Sequence, residues 1–390
     1  MELELTADQE LFAETTRRFL DDRAGVDVVR GLRDDPRGYD DAYWRQGCDL
    51  GWTSLLVAES DGGGSVSGEG VRDLALVAHQ FGRHAAPGPL IGCNVVAAAL
   101  SRSGTRRQKD EVLGGIVAGE VVVTWAVAEP QPNDGLPPGP GTVALTASRR
   151  GDRWALAGTK VHVESAATAS HVLVAARAPD GPTQFLVPLD APGVTVRPMQ
   201  SVDLTRRFSS VTFAAEVGAD AVVGEVGGAG PDVAHQLRLA NVVQCAEMVG
   251  ALDAAMDLTL EWVLDRYSFG RPIGSYQAIK HRLADMKTWL EASHALADGA
   301  AAAVQRDTAD DDADAADELC SAAKAYIGHH GPELCQECVQ FHGGIGVTFE
   351  HDLHLYLRRV VLHAATYGTV TDHRLRLTDI LEARESEGAA

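Results

Sequence analysis

The sequence predicts an α+β fold in three blocks: helices over residues 1–120, a small β-domain over 121–228, and a bundle of long helices over 229–390. Three observations carry this reading. Apolar residues recur at helical spacing through the first part, and β-branched runs punctuated by Pro and Gly begin near Val121. From about Asp232 long amphipathic stretches return. A chain of 390 residues is long enough for two or three domains with a substantial core.

Thr6-Ala-Asp-Gln9 is a capping-box pattern, so a helix should begin after Thr6; Leu11, Phe12, Thr15, Phe19 and Leu20 then follow its period. Further helices are predicted over Val71–Phe81 and Gln108–Val117. Gly62-Gly63-Gly64 reads as a surface turn, because Ser67 stands where a dinucleotide fingerprint needs its last glycine. Strands are predicted at Val121–Val127, Arg153–Ala157, His171–Ala176, Thr183–Leu189, Val194–Pro198 and Ser209–Ala214. Five prolines between Pro130 and Gly141 predict an irregular loop. Long helices follow over Asp232–Arg266, Tyr276–Gln305 and Ala315–His342, with the acidic run from Asp307 to Asp314 as a solvated loop between the last two.

The net charge of −21 excludes the cationic footprint that nucleic acid or an anionic membrane surface would need, and no apolar run is long enough to span a bilayer. The acidic start, Met1-Glu-Leu-Glu, is unlike a basic targeting segment, so a cytoplasmic protein is expected. The cysteines at 48, 93, 245, 320, 335 and 338 are too sparse for a disulfide scaffold. Cys335 and Cys338 form one C-x-x-C without the partners of a zinc set, so they read as packed thiols, and no metal site is expected. His342, His351, His354 and His363 likewise read as structural.

The most informative stretch runs from Arg266-Tyr-Ser-Phe-Gly through Gln277, where an Arg, a hydroxyl, an aromatic and a Gln are joined by a Gly/Pro-marked break between two helices. Arg suits a diphosphate because its planar fork donates two parallel hydrogen bonds, and Ser268 adds a short hydroxyl. A second stretch is Gln340-Phe-His-Gly343-Gly344-Ile-Gly346, extending through Glu350 to Leu357-Arg358-Arg359. The first resembles the FAD-pyrophosphate segment of the acyl-CoA dehydrogenase family, and the second its glycine-rich flavin-contacting turn. Leu50-Gly51-Trp52, Glu59, Gly62-Gly63 and Trp125-Ala-Val-Ala-Glu129-Pro130 fit the same family, so the likeness covers essentially the whole chain. Asp203-Leu-Thr-Arg-Arg-Phe-Ser-Ser-Val resembles members linked to steroid side-chain breakdown in actinobacteria. The resemblance implies a carboxy-terminal four-helix bundle, FAD as cofactor, an acyl-CoA substrate, and FAD contacts from Arg266, Ser268, Phe269, Gln277, Gln340, Gly343 and Gly344. It also suggests an electron-transfer flavoprotein as electron acceptor.

The family's chemistry needs a base for the α proton and a flavin that accepts hydride from the β carbon. The glutamate base usually lies in Tyr-Glu-Gly-Thr; here the stretch is Thr366-Tyr367-Gly368-Thr369, with Tyr367 in its place and Thr371 where a Gln is expected. Some members carry the base on the preceding long helix, which corresponds here to Ala240. A tyrosine, with an ordinary pKa near 10, is a poor base at neutral pH. Where the family often places Trp-Ile-Thr-Asn-Gly against the flavin ring, this chain has His162-Val-Glu164-Ser-Ala166, and Glu164 would oppose the charge of reduced flavin unless neutralised or turned away. Glu129-Pro130 also lacks the Gly-Ser-Asp that commonly follows.

The matches thus fall on residues that, in family homotetramers, reach mainly toward a neighbour's FAD, while the departures fall on the ring and the base. No catalytic residue is therefore assigned. The expected function is that of an FAD-dependent acyl-CoA dehydrogenase subunit acting on a bulky, steroid-type thioester. It would complete the FAD site of a paralogous partner in an α2β2 heteromer. The alternatives are a homotetrameric or self-sufficient flavoenzyme drawing a displaced base from Glu164, Glu247, Asp253 or Glu350, one with oxidase or monooxygenase chemistry, and a scaffold subunit without flavin.

Overall fold

The computed structural model describes residues 5–130, 139–307 and 313–388. Most of the predicted proline-rich loop and the middle of the acidic loop lie outside them. In chain order the helices are α1 (Ala7–Arg23), α2 (Val26–Gly31), α3 (Asp41–Asp49), α4 (Gly70–Arg83), α5 (Leu90–Ser103), α6 (Arg106–Gln108), α7 (Gly114–Val117), α8 (Gly230–Asp265), α9 (Gln277–Asp307), α10 (Ala313–His342), α11 (Leu353–Ala365) and α12 (Val370–Gly388). Between α7 and α8 lie β1 (Val123–Ala126), β2 (Thr146–Arg150), β3 (Arg153–Glu164), β4 (His171–Ala178), β5 (Gly181–Pro188), β6 (Val194–Met199), β7 (Phe208–Gly218) and β8 (Val222–Val223). The expected α+β class is what the chain adopts. Among the described residues no helix is long and apolar enough to cross a membrane.

The chain forms two compact units: Arg30–Leu74 with Pro87–Ala240, and Met1–Val29 with Ala75–Ala86 and Asn241–Ala390. The first contains the eight-stranded sheet, in the order β6-β7-β3-β2-β4-β5-β8, with β1 pairing in parallel to β4. In β7, residues 209, 211, 213, 215 and 217 are buried and alternate with more exposed neighbours, the period-2 pattern of a half-covered strand. Their core is shared with Trp154, Leu156, Val174, Phe185 and Val187, and Trp154 meets Phe185 edge-on at 5.6 Å.

The predicted elements need correction at several places. β3 runs on to Glu164 rather than ending at Ala157, because its pairing with β7 resumes after an irregularity between Lys160 and Val163. β2 has no predicted counterpart. Of its five side chains only Ala147 is buried, so the segment lacks an apolar alternation. The helix expected over Gln108–Val117 is interrupted by a π turn at Lys109–Leu113.

In the second unit α1 begins as its capping box requires, with Thr6 Oγ1 accepting from Gln9 N and Thr6 N donating to Gln9 Oε1. The buried residues of α9 (Met286, Leu290, Ser293, Ala297, Ala300, Ala301, Val304) recur every three or four positions, the stripe of a bundle helix. Cys335 and Cys338 of α10 are buried and reduced, and burial pushes the Cys338 thiol up to about 12. They are packed thiols, as the sequence suggested.

Candidate active-site elements

Between α8 and α9 the chain forms a two-stranded ribbon, β9 (Tyr267–Ser268) and β10 (Arg271–Pro272), with Ser268 opposite Arg271. Its two turn residues, Phe269 and Gly270, have φ of 51° and 81°, so both central positions are left-handed, as in a type I′ hairpin. Such a turn favours Asn-Gly, and an aromatic there costs about 1–2 kcal/mol. The side chain recovers nothing within its own chain: Phe269 is 96% exposed, beside exposed Tyr267 and Leu264.

Arg266 is exposed and stands over the Trp262 ring at 5.7 Å. Trp262 in turn stacks on His342 at 5.0 Å and donates Nε1–H to the carbonyl of Phe341 at 3.1 Å. One tryptophan thus ties the Arg266 segment to the end of α10, which carries Gln340, and to the Gly343-Gly344 turn that follows it. Gly343, at φ 63°, ends α10 in the left-handed conformation that a C-cap needs, and a Cβ on Gly343 or Gly344 would meet nothing within 4 Å. Gln277 is the exposed first residue of α9, at the positive end of that helix. The Ser268 carbonyl accepts from Tyr276 Oη at 3.0 Å. All seven sequence-predicted residues therefore belong to one part of the second unit, and most are open to solvent.

The positions expected to carry a base are occupied differently. Ala240 is fully buried. Tyr367 is half-buried with φ 56°, followed by Gly368, where a Cβ would come within 2.6 Å of His373 Nε2. Thr369 caps α12, its Oγ1 accepting from Asp372 N at 3.3 Å while its own N donates to Asp372 Oδ2 at 2.8 Å. The turn is held from below by Lys324, a fully buried ammonium that donates to Gln244 Oε1 at 2.7 Å and to the carbonyls of Thr366, at 2.9 Å, and His363. Burial lowers the Lys324 pKa to about 8.

Among the proposed displaced bases, Glu247 is fully buried on α8. Its Oε2 accepts from Arg359 Nη1 at 3.0 Å and lies 2.9 Å from His363 Nε2. Arg359 also donates to the carbonyls of Ala85 and Ala86, both at 3.1 Å. This carboxylate is a charge-compensated core anchor. Glu350 is exposed on the loop before α11.

In the sheet unit the irregularity in β3 coincides with His162 at φ 53°, and Ser165 follows at 55°. Two ion pairs bracket this kink. Lys160, with no exposed surface, binds Glu129 at 2.6 Å and the Val127 carbonyl at 3.2 Å. Glu129 Oε1 also accepts from the amides of Ala144 and Leu145, at 2.8 and 3.0 Å. Glu164 is buried against Arg206 Nη1 at 2.8 Å, and the same nitrogen donates to the Gly88 carbonyl at 2.7 Å. The neighbouring Arg207 donates instead to the carbonyls of Leu32, Arg33, Asp35 and Leu204. The sequence raised the charge problem at Glu164. It did not show that Arg206, three residues after Asp203, is the counter-ion.

The chain matches three consecutive domain profiles of one family: the acyl-CoA dehydrogenase N-terminal domain over residues 6–120, middle domain over 125–213 and C-terminal domain over 230–379. It belongs to the acyl-CoA dehydrogenase family, and its function is of acyl-CoA dehydrogenase type, an oxidoreductase. Among curated relatives it is 29% identical over 374 residues to acyl-CoA dehydrogenase IpdE2 of Mycolicibacterium smegmatis, covering 96% of this chain and 98% of that one. Among solved structures it is similar to a variant of the Tcur3481-Tcur3483 steroid ACAD, with 29% identity, a TM-score of 0.84 and 98% of both chains covered. It is also similar to the ChsE4-ChsE5 complex from Mycobacterium tuberculosis, with 25% identity, a TM-score of 0.84 and coverage of 98% of this chain and 99% of that one.

Proposed function

We propose that this chain is the base-less subunit of a heteromeric, FAD-dependent acyl-CoA dehydrogenase, contributing its Arg266 and Gln340 segments to the FAD site of a paralogous partner. The single observation that carries the reading is Phe269, an aromatic held left-handed at the tip of its ribbon with its side chain 96% exposed. Strain of this kind persists where it serves a contact, and here the contact lies outside the subunit. Beside it, Arg266 offers a cationic fork, α9 presents its N-terminus, and the open backbone at Gly343 and Gly344 admits a close planar group. These residues fit a dinucleotide approaching from a neighbouring molecule.

Bound FAD would supply the hydride acceptor. This chain's own part is to hold the diphosphate and exclude water around it. Absence of a base here is supported by Tyr367 and Ala240 at the two expected positions, and by the burial of Glu164 and Glu247 in ion pairs with arginines. The names of relatives, a steroid ACAD and a two-component complex, support a bulky thioester substrate and a heteromeric assembly. An electron-transfer flavoprotein is the proposed acceptor.

The test is to express the chain alone and together with a paralogous subunit that keeps the Tyr-Glu-Gly-Thr motif, and to record flavin absorbance and turnover. Little flavin on the isolated chain and yellow, active protein from co-expression are expected. Near-stoichiometric flavin and activity in the isolated chain would overturn the proposal.

A further inference from the structure

Away from the elements above, α4 and α8 cross closely in the second unit. A Cβ on Gly82 would fall 2.0 Å from the Glu247 carbonyl oxygen, and one on Gly250 2.0 Å from that of His79. This approach brings His79 of α4 onto Asp253 of α8, and α9 adds His294. His79 Nε2 lies 2.7 Å from Asp253 Oδ2 and His294 Nε2 3.0 Å from Asp253 Oδ1, so each carboxylate oxygen faces one imidazole. The three side chains are partly exposed, at 25%, 16% and 34%. Their donor atoms lie within 4.8 Å of one another, the only such group among the described residues.

The Gln80 amide nitrogen is 3.3 Å from His79 Nδ1, while its Oε1 is buried with no partner. With the Gln80 amide turned over, which changes nothing in its shape, Oε1 faces His79 Nδ1 and accepts its N–H. The His79 Nε2 lone pair then faces a carboxylate oxygen 2.7 Å away, and a cation held by both would join them. Nδ1–H bound to an oxygen acceptor with Nε2 turned to the ligand site is also the usual second shell of a metal-bound histidine. We propose that His79, Asp253 and His294 bind a divalent transition-metal ion of the zinc class, with Gln80 orienting His79 and solvent completing the coordination.

Two imidazoles and a carboxylate suit such an ion, whose bonds of about 2.0–2.2 Å would draw the three donors together by side-chain rotation, most easily at His294. The surroundings favour a cation: Asp257, Glu291 and Asp298 add negative charge. Arg83 Nη1, 3.9 Å from Asp253 Oδ2, opposes it, but its other nitrogen is held by Asp257 at 2.7 Å, and Lys287 is engaged by Glu291. The ion would cross-link α4, α8 and α9.

The test uses the full, tag-free chain after chelator dialysis, titrated calorimetrically with ZnCl2, and with CoCl2 while visible absorbance is recorded. One equivalent per chain, a higher thermal midpoint with zinc, and a nitrogen- and oxygen-ligated cobalt spectrum are expected. His79→Gln and His294→Gln should each weaken binding by roughly 100-fold or more, and Gln80→Leu by about 10–100-fold, with unchanged circular dichroism. Absence of saturable binding would overturn the proposal. Thiolate-to-cobalt bands, or affinity unchanged in His79→Gln/His294→Gln, would overturn it by placing the metal on cysteines. The cobalt spectrum of the wild-type chain decides the matter even if that double variant does not fold.

Discussion

Arg206 Nη1 sits 2.8 Å from Glu164 Oε1, with the two side chains only 1% and 5% exposed, so the carboxylate that departs from the family's flavin-facing pattern is neutralised within its own unit. A buried charge is costly when its partner is removed, whereas an apolar replacement of both is tolerated. Arg206→Ala should destabilise the chain by about 3–5 kcal/mol, Glu164→Gln by less, and Glu164→Gln/Arg206→Met should recover much of the loss. Urea unfolding measures all three. Equal, small effects would show that the pair contributes no compensation.

Phe269→Asn should move two properties in opposite directions. Asn-Gly suits the left-handed turn, so the isolated chain should gain roughly 1 kcal/mol in thermal or urea unfolding. Co-purification with the partner subunit should weaken, because the exposed aromatic is lost. A variant that assembles as well as wild type would remove Phe269 from the interface.

Arg266→Ala should lower FAD retention in the assembled protein by about 1.5–3 kcal/mol, the worth of a charge-assisted contact to a diphosphate. Flavin occupancy after dilution and dialysis is the readout, and unchanged occupancy would show that this Arg is not a diphosphate ligand.

Tyr367→Phe should leave turnover of the complex nearly intact. General-base catalysis is worth about 10²–10⁴-fold, so a drop of that size with flavin content unchanged would give this subunit an active site of its own.

His373, buried on α12 near Ser321, is held well below the ordinary imidazole range, at about 3, by burial first and then by the charges of Lys324 and Arg376. Its folded pKa lies below the unfolded value of about 6.5, so both states are neutral above that pH and the full stability is present there. As pH falls from about 6.5 toward 3, the unfolded chain takes up a proton that the folded one refuses, and stability falls by up to about 1.4 kcal/mol per pH unit from this residue. Unfolding curves of wild type and His373→Gln between pH 7 and 4 should diverge accordingly, with the variant showing the shallower loss.

Local signals made much of the fold legible. The Thr6–Gln9 capping box sets the start of α1, the spacing of Met286, Leu290, Ala297 and Val304 sets the buried stripe of α9, and the alternation in β7 sets its inner face. Each depends on residues a few positions apart, which a single chain displays openly. The Arg266-to-Gln277 segment and the Gly343-Gly344 turn are also singled out by residue type alone, and the Trp262 contacts bring the two together. β2 escaped because its burial comes from flanking strands rather than from its own side chains.

Only the tertiary structure decided how the charges are settled. Glu164 meets Arg206, Glu247 meets Arg359 and His363, Lys324 finds the end of α11, and Asp253 gathers His79 and His294, across separations of 42, 112, 116, 39, 174 and 41 residues. Such pairings have no local period. They exist because a buried charge must find a partner wherever the packing of strands and helices brings one within reach, and that is a property of the folded chain.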